Sequence, residues 1–401
     1  MKRTVESLVN ESGSSKRIKV VKSDSQNHAP DCSDPDCDGC DVGEIELTFT
    51  NEDGTPADKP TALELFRMAM SEAASEGSKA NENGMAKRIF DMALEAYDKE
   101  KDQDQLGYAQ CLIEFGRYFD VLESVKEGVE VLRGLEKSNS VEGSKLTKTE
   151  LYIAKGRGIL VQLQMERAKK IEIFEEINGE NESDEEEEID PSLLKKLEVS
   201  KQERKLVDEA VACFDIVLSG KDHDEGHEKQ ALLCCNDLRQ YGEQLDMPFH
   251  VDIVRIVLKP ALTYLQTVKD LDSNAFALKI LGSCLFYQAR ADPQGDGVQA
   301  QIETALEKLN KAKSANSEDQ DLEVVELIGH CKMLLSTLLT EEDDILEQYQ
   351  EAIDCFKLVL EQSDEPNHKL AEMVQLLDGE DDDEIEEDED EQDEDDEDNS
   401  S

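Results

Sequence analysis

Apolar side chains recur every three to four positions along most of this chain. From Pro60 onward the period is helical and stays so. Thr61 is placed to cap a helix carrying Leu63, Leu65, Phe66, Met68, Ala69 and Ala73. Residues 81–84 (Asn-Glu-Asn-Gly) break it. A second helix then sets Ile89, Phe90, Ala93, Leu94 and Tyr97 on one face. Helix follows helix with short breaks, and the few prolines stand near predicted helix ends. Residues 1–57 lack this period and are rich in Ser, Asp, Asn and Gly, the composition of a disordered arm. Within them Glu44–Thr50 alternates like a strand but has no obvious partner. The predicted class is all-α.

An all-α chain of this length calls for a search for repeats. The tetratricopeptide (TPR) pattern needs small residues where helices A and B cross closely, with an aromatic one turn further on. Leu112, Phe115, Gly116 and Phe119 fit a helix A, and Gly128 with Leu132 fits its helix B. Leu278, Leu281, Gly282 and Leu285 fit a second helix A. Its helix B, with Ile302, Leu306 and Leu309, follows an insertion around 292–297. Ala86/Phe90/Ala93, Ala210/Phe214/Val217 and Ala352/Phe356/Val359 resemble helix B alone, and Val324–Leu339 supplies a helix A before the last of these. The expected architecture is a TPR-like helical-repeat (α-solenoid) array, with the A helices lining its binding face.

Charge adds boundaries to that picture. The 401 residues carry 96 Asp+Glu against 43 Lys+Arg, a formal charge of −53. Such a balance argues against nucleic-acid binding by the folded body, because counterion release needs a basic face. Residues 178–191 are strongly acidic and end in Pro191. Self-repelling carboxylates there predict an acidic loop between an N-terminal helical half, 58–177, and a C-terminal half, 192–372. Residues 373–401 form a predicted acidic, disordered tail: Asp378–Ser401 holds 18 acidic residues and no basic one. That tail reads either as a solvated end that aids solubility or as a lure for a basic partner. No uncharged apolar run approaches the ~18 residues of a membrane span. The ten cysteines and an N-terminus without an apolar signal segment point to a reducing compartment, where disulfides are not expected.

Three short clusters bear on chemistry. Lys2-Arg3, then twelve residues, then Lys16-Arg17-Ile18-Lys19 has the spacing of a bipartite nuclear-import signal, with Lys2, Arg3, Lys16, Arg17 and Lys19 as its contacts. His28, Cys32, Cys37 and Cys40 lie within thirteen residues and can surround one tetrahedral zinc ion. The more ordinary reading is a disordered arm whose three cysteines and one histidine form no site, and their order matches no common zinc module. His223 and His227 stand four apart, but Asp224 occupies the place where a zinc hydrolase needs Glu, so this stretch reads as a solvated loop. Cys234-Cys235 are neighbours on a helix, so one of them at most should face the core squarely. No phosphate-binding loop, dinucleotide fingerprint or nucleophile elbow is present, and no enzyme is expected.

Taken in order, the basic arm, the TPR-like body, the acidic interruption at 182–190 and the late acidic stretch resemble the fungal enhancer of translation termination family. The C-terminal helices carry most of the likeness: Phe276–Ala289, the insertion, Glu303–Ala312, then Val324–Leu339 and Gln348–Leu360. The resemblance implies a non-catalytic nuclear protein, with the cytoplasm left open, required for correct translation termination. It also implies regulation of hypoxic gene expression with a prolyl-hydroxylase partner. It brings no catalytic residue. Two other readings stand beside it: an acidic TPR histone chaperone of the nuclear autoantigenic sperm protein type, and a metal or redox protein built on the His28–Cys40 cluster.

Overall fold

The computed structural model describes residues 17–21, 46–50, 59–76, 84–99, 104–138, 147–179, 191–220, 225–315, 321–363 and 367–378. The helices are α1 (Ala62–Glu76), α2 (Met85–Lys99), α3 (Gln105–Tyr118), α4 (Leu122–Lys137), α5 (Lys148–Gly179), α6 (Pro191–Leu197) and α7 (Lys201–Leu218). They continue with α8 (Glu225–Glu243), α9 (Val251–Leu265), α10 (Ala275–Ala291), α11 (Val298–Ala315), α12 (Leu322–Ser336), α13 (Glu342–Gln362) and α14 (His368–Asp378). The all-α, helical-repeat expectation therefore holds for the body.

The one departure is a two-stranded antiparallel ribbon. β1 (Arg17–Val21) pairs with β2 (Glu46–Thr50), Arg17 opposite Thr50 and Val21 opposite Glu46. The partner that the sequence pattern did not supply for β2 is thus the second half of the basic cluster. Arg17-Ile-Lys-Val-Val alternates polar and apolar as a strand requires, but its charges masked the period.

Local signals start the helices where they are expected. Thr61 Oγ1 accepts from the Glu64 N–H while Glu64 Oε2 accepts from the Thr61 N–H. Thr147 with Glu150, and Ser200 with Glu203, repeat this reciprocal cap at α5 and α7. Between α3 and α4 the turn is three residues long. Asp120 adopts φ +52°, and the Val121 N–H returns 2.9 Å to the Gly116 carbonyl. Asp tolerates the left-handed region that such a helix stop needs. Pro260 differs from the expectation for prolines: it lies inside α9, where Val257, Leu258 and Ala261 beside it are fully buried. That packing holds a helix from which proline has removed one hydrogen bond.

The helices divide into two compact units. Unit 1 comprises Met1–Leu271 and Tyr287–Gly295; unit 2 comprises Asp272–Phe286 and Asp296–Ser401. In unit 1, α1 packs on α2, α3 on α4, α5 on α7, and α8 on α9. Phe90 is the hub of the first pair, with the rings of Phe66, Phe115, Tyr118 and Phe119 centred 5.8–6.2 Å away. α4 crosses α3 so closely that a Cβ on Gly128 would stand 2.8 Å from the Ala109 carbonyl oxygen. In unit 2, α12 packs on α13 and α13 on α14. A Cβ on Gly282 of α10 would meet Leu309 of α11 at 2.7 Å. The three aromatics Phe90, Phe214 and Phe356 are all fully buried.

The helices on either side of the acidic stretch pack against each other. α5 runs on to Gly179, and α7, beyond the stretch, packs back onto α5. Phe214 of α7 lies against Gly156 of α5: a Cβ there would be 2.9 Å from its ring. α5 and α7 thus form one pair although residues 180–190 and α6 separate them in sequence. The two contacting residues are too far apart in sequence for a short repeat pattern to join them. Replacing 180–190 with a Gly/Ser linker of equal length should leave the melting temperature within about 2 °C, because the number of linking residues is unchanged and Gly156 and Phe214, which meet between α5 and α7, lie outside it. A drop several times larger in a thermal scan would show that the insert itself holds the pair together.

Candidate functional surface

Polar side chains buried inside unit 1 converge at the start of α7. Glu203, in the first turn of α7, is buried by its own cap. Its Oε1 accepts from Arg167 Nη1 of α5 at 3.3 Å and its Oε2 from Lys170 Nζ at 2.6 Å. The Ser200 N–H adds a third bond at 3.2 Å. Arg167 is 1% exposed, and its guanidinium also meets His250, fully buried at the start of α9. His250 Nδ1 accepts from the Met247 N–H at 3.2 Å, so Nε2 carries the proton and donates to the Leu197 carbonyl at 3.0 Å. Tyr241 O–H points to Glu203 at 3.5 Å. Burial, with Glu203 beside it, pushes the Tyr241 phenol up. The cluster joins α5, the end of α6, α7, α8 and α9.

Burial holds the His250 imidazole down at about 4, against an ordinary 6.5; the Leu197 carbonyl opposes the shift and Arg167 adds to it. His250 is therefore neutral in the folded protein at pH 7. Its contribution is complete above pH 6.5 and is lost as the pH falls from 6.5 through 4, because the unfolded chain takes up the proton first. The urea midpoint should drop across that window. His250→Gln should flatten the fall, and parallel curves for the two proteins would refute the assignment.

A second set of ion pairs links one helix pair to the next. Arg133 of α4 grips Glu209 of α7 through two bonds, 3.0 and 2.5 Å. Lys155 of α5, itself buried, reaches Glu136 at 2.6 Å and Glu209 at 2.9 Å. The Arg133 bonds chiefly hold the Glu209 carboxyl below its usual range, against its burial. Arg157 of α5 bonds Asp237 of α8 at 2.5 Å. In unit 2, Lys279 of α10 reaches Asp321 and Glu323 beside and on α12, both at 2.8 Å. These charges bind helices together; they do not gather around a cleft.

The sulfur and imidazole groups fall elsewhere. Cys234 and Cys235 are both fully buried, as the reading of thiols on an apolar helix expects. α8 is covered on two sides, by α5 and by α9, so adjacent directions both face protein. Burial pushes the thiols of Cys111, Cys234 and Cys331 up to about 12, which leaves them protonated and weakly nucleophilic at pH 7. His227 belongs to the first turn of α8 rather than to a loop. His330 is half-buried over the Phe356 ring, 4.9 Å between centroids. Lys2, Arg3, Lys16, His28, Cys32, Cys37 and Cys40 lie outside the described residues, as do 180–190 and 379–401. Arg17 and Lys19 are in β1, opposite Thr50 and Thr48. Among the described residues no helix is long and apolar enough to cross a membrane.

Sequence reasoning missed Arg167, His250 and Lys155. Only Glu203 carried a signal, the Ser-x-x-Glu cap at 200–203.

Paired helices with close A/B crossings, tied pair to pair by ion pairs, define a helical-repeat protein. No protein-family model and no curated protein matches the chain. Among solved structures it is similar to the Schizosaccharomyces pombe (S. pombe) nuclear import adaptor Nro1. In one crystal form the TM-score is 0.43 at 12% identity, over 79% of this chain and 97% of that one. In the structure titled "The hypoxic regulator of sterol synthesis Nro1 is a nuclear import adaptor" it is 0.44 at 12%, over 79% and 92%. A further crystal form gives 0.41 at 13%, over 79% and 95%.

Proposed function

We propose that this protein is a non-catalytic nuclear scaffold on which other proteins assemble. One observation carries the reading: the charged side chains buried among the described residues join helix to helix and pair to pair, as a rigid display framework requires. Entry to the nucleus is assigned to Lys2, Arg3, Lys16, Arg17 and Lys19; β1 keeps two of these in the extended form that an import receptor reads. The likeness of the C-terminal helices to the enhancer of translation termination family narrows the role to correct translation termination. Hypoxic gene expression, with a prolyl-hydroxylase partner, joins it on the same ground.

A second reading, an acidic histone chaperone, is favoured by one finding. The acidic stretch separates in sequence two helices that pack as one pair, and basic histones suit such a lure. Affinity purification of the full chain from nuclear extract, read by mass spectrometry, separates the two. Termination factors or a ribosomal hydroxylase support the first, and core histones support the second. A stop-codon readthrough reporter in a deletion strain that shows no change would remove the termination role.

A further inference from the structure

The last two helices of unit 2 leave apolar side chains uncovered. Leu376 of α14 is 83% exposed and Leu346 of α13 is 59% exposed, the highest values among the large apolar side chains described. Both helices are otherwise well docked. Ala352, Phe356 and Val359 of α13 and Leu370 and Val374 of α14 are buried in one cluster. Leu376 follows Val374 by two positions, roughly 200° around the helix, so it faces away from that cluster. Tyr349, three residues past Leu346, donates its O–H to the Leu377 carbonyl at 3.1 Å and so brings the start of α13 to the end of α14.

The charge along the first half of α13 has one sign. Residues 341–354 contain seven acidic side chains and no basic one, and Glu341, Glu342, Asp343, Asp344 and Glu347 are exposed. The helix dipole accounts for acids in the first turn of α13. It accounts neither for Glu347 nor for the two leucines.

We propose that this end of unit 2 docks a basic amphipathic helix of a partner protein. Its apolar side chains rest on Leu346 and Leu376, and its Lys or Arg side chains face Glu342, Asp343, Asp344 and Glu347. A second copy of this chain is the poorer occupant, because it brings the same carboxylates against themselves. The proposal rests on the scaffold reading and gives the partner a chemistry.

The test uses the full chain and a fluorescein-labelled leucine/lysine amphipathic peptide, roughly 18 residues long, in an anisotropy titration. Leu346→Ser with Leu376→Ser should weaken binding at least ~10-fold at an unchanged melting temperature, since both side chains are exposed. Glu342→Gln, Asp343→Asn, Asp344→Asn and Glu347→Gln together should weaken it and reduce its salt dependence. Unchanged binding by the double serine variant overturns the proposal and places the peptide on the acidic tract 379–401. A dimer in sedimentation that the same variant abolishes, with no peptide binding, overturns it in favour of a second copy. Neither outcome touches the partners captured by the purification above, so the two readings fail separately.

Discussion

Arg167→Met is expected to cost unit 1 about 3–5 kcal/mol, the range for removing one partner of a buried ion pair. The guanidinium is 1% exposed and the facing Glu203 carboxylate 3% exposed. Without Arg167, Glu203 keeps Lys170 and the Ser200 N–H, but it loses the buried cation that offsets its desolvation. His250 loses its contact with the guanidinium in the same step. Methionine fills much of the space, so a cavity adds little. Urea unfolding followed by circular dichroism measures the loss, and hydrogen exchange on α5 and α7 locates it. Glu203→Gln added to Arg167→Met should recover part of the loss, since the unpaired charge goes too. A loss below about 1 kcal/mol would mean that water reaches the cluster and that it is not a buried clamp.

Phe214→Ala carries a comparable cost, about 3–5 kcal/mol for emptying a fully buried aromatic site. Its ring fills the space that Gly156 leaves on α5, and any side chain at 156 would collide with it. Gly156→Val alone should therefore also destabilise, by about 1–3 kcal/mol from overpacking. The double variant tests whether the two contact each other: the valine introduced on α5 would occupy part of the space that Phe214 vacates. Its loss should fall short of the summed single losses by at least about 1 kcal/mol. Strict additivity would show that α5 and α7 do not form one pair.

What the amino-acid pattern revealed was the local part of the structure. Ala86/Phe90/Ala93, Ala210/Phe214/Val217 and Ala352/Phe356/Val359 show buried faces in the chain itself, because a helix brings residues three and four apart together. Thr61 and the Ser200–Glu203 cap are legible for the same reason: both partners lie within one turn. The β1 strand was hidden because Arg17 and Lys19 read as an import signal, and that reading drew attention from their alternation with Ile18 and Val20.

The clamp was not legible. Arg167, Glu203 and His250 come from α5, α7 and the start of α9, and each alone looks like an ordinary surface residue. Burial makes them partners, and burial depends on which helices meet. Cys234 and Cys235 show the same limit, since a single helix cannot reveal that two neighbours cover it. The sequence alone determined that the body is built of amphipathic helices and where many of them begin, because those are short-range consequences of side-chain spacing and capping. Only the tertiary structure decided that α5 pairs with α7 across the acidic stretch, which charges are buried, and which leucines are left exposed. Those outcomes depend on contacts between residues far apart in the chain, and no local pattern encodes them.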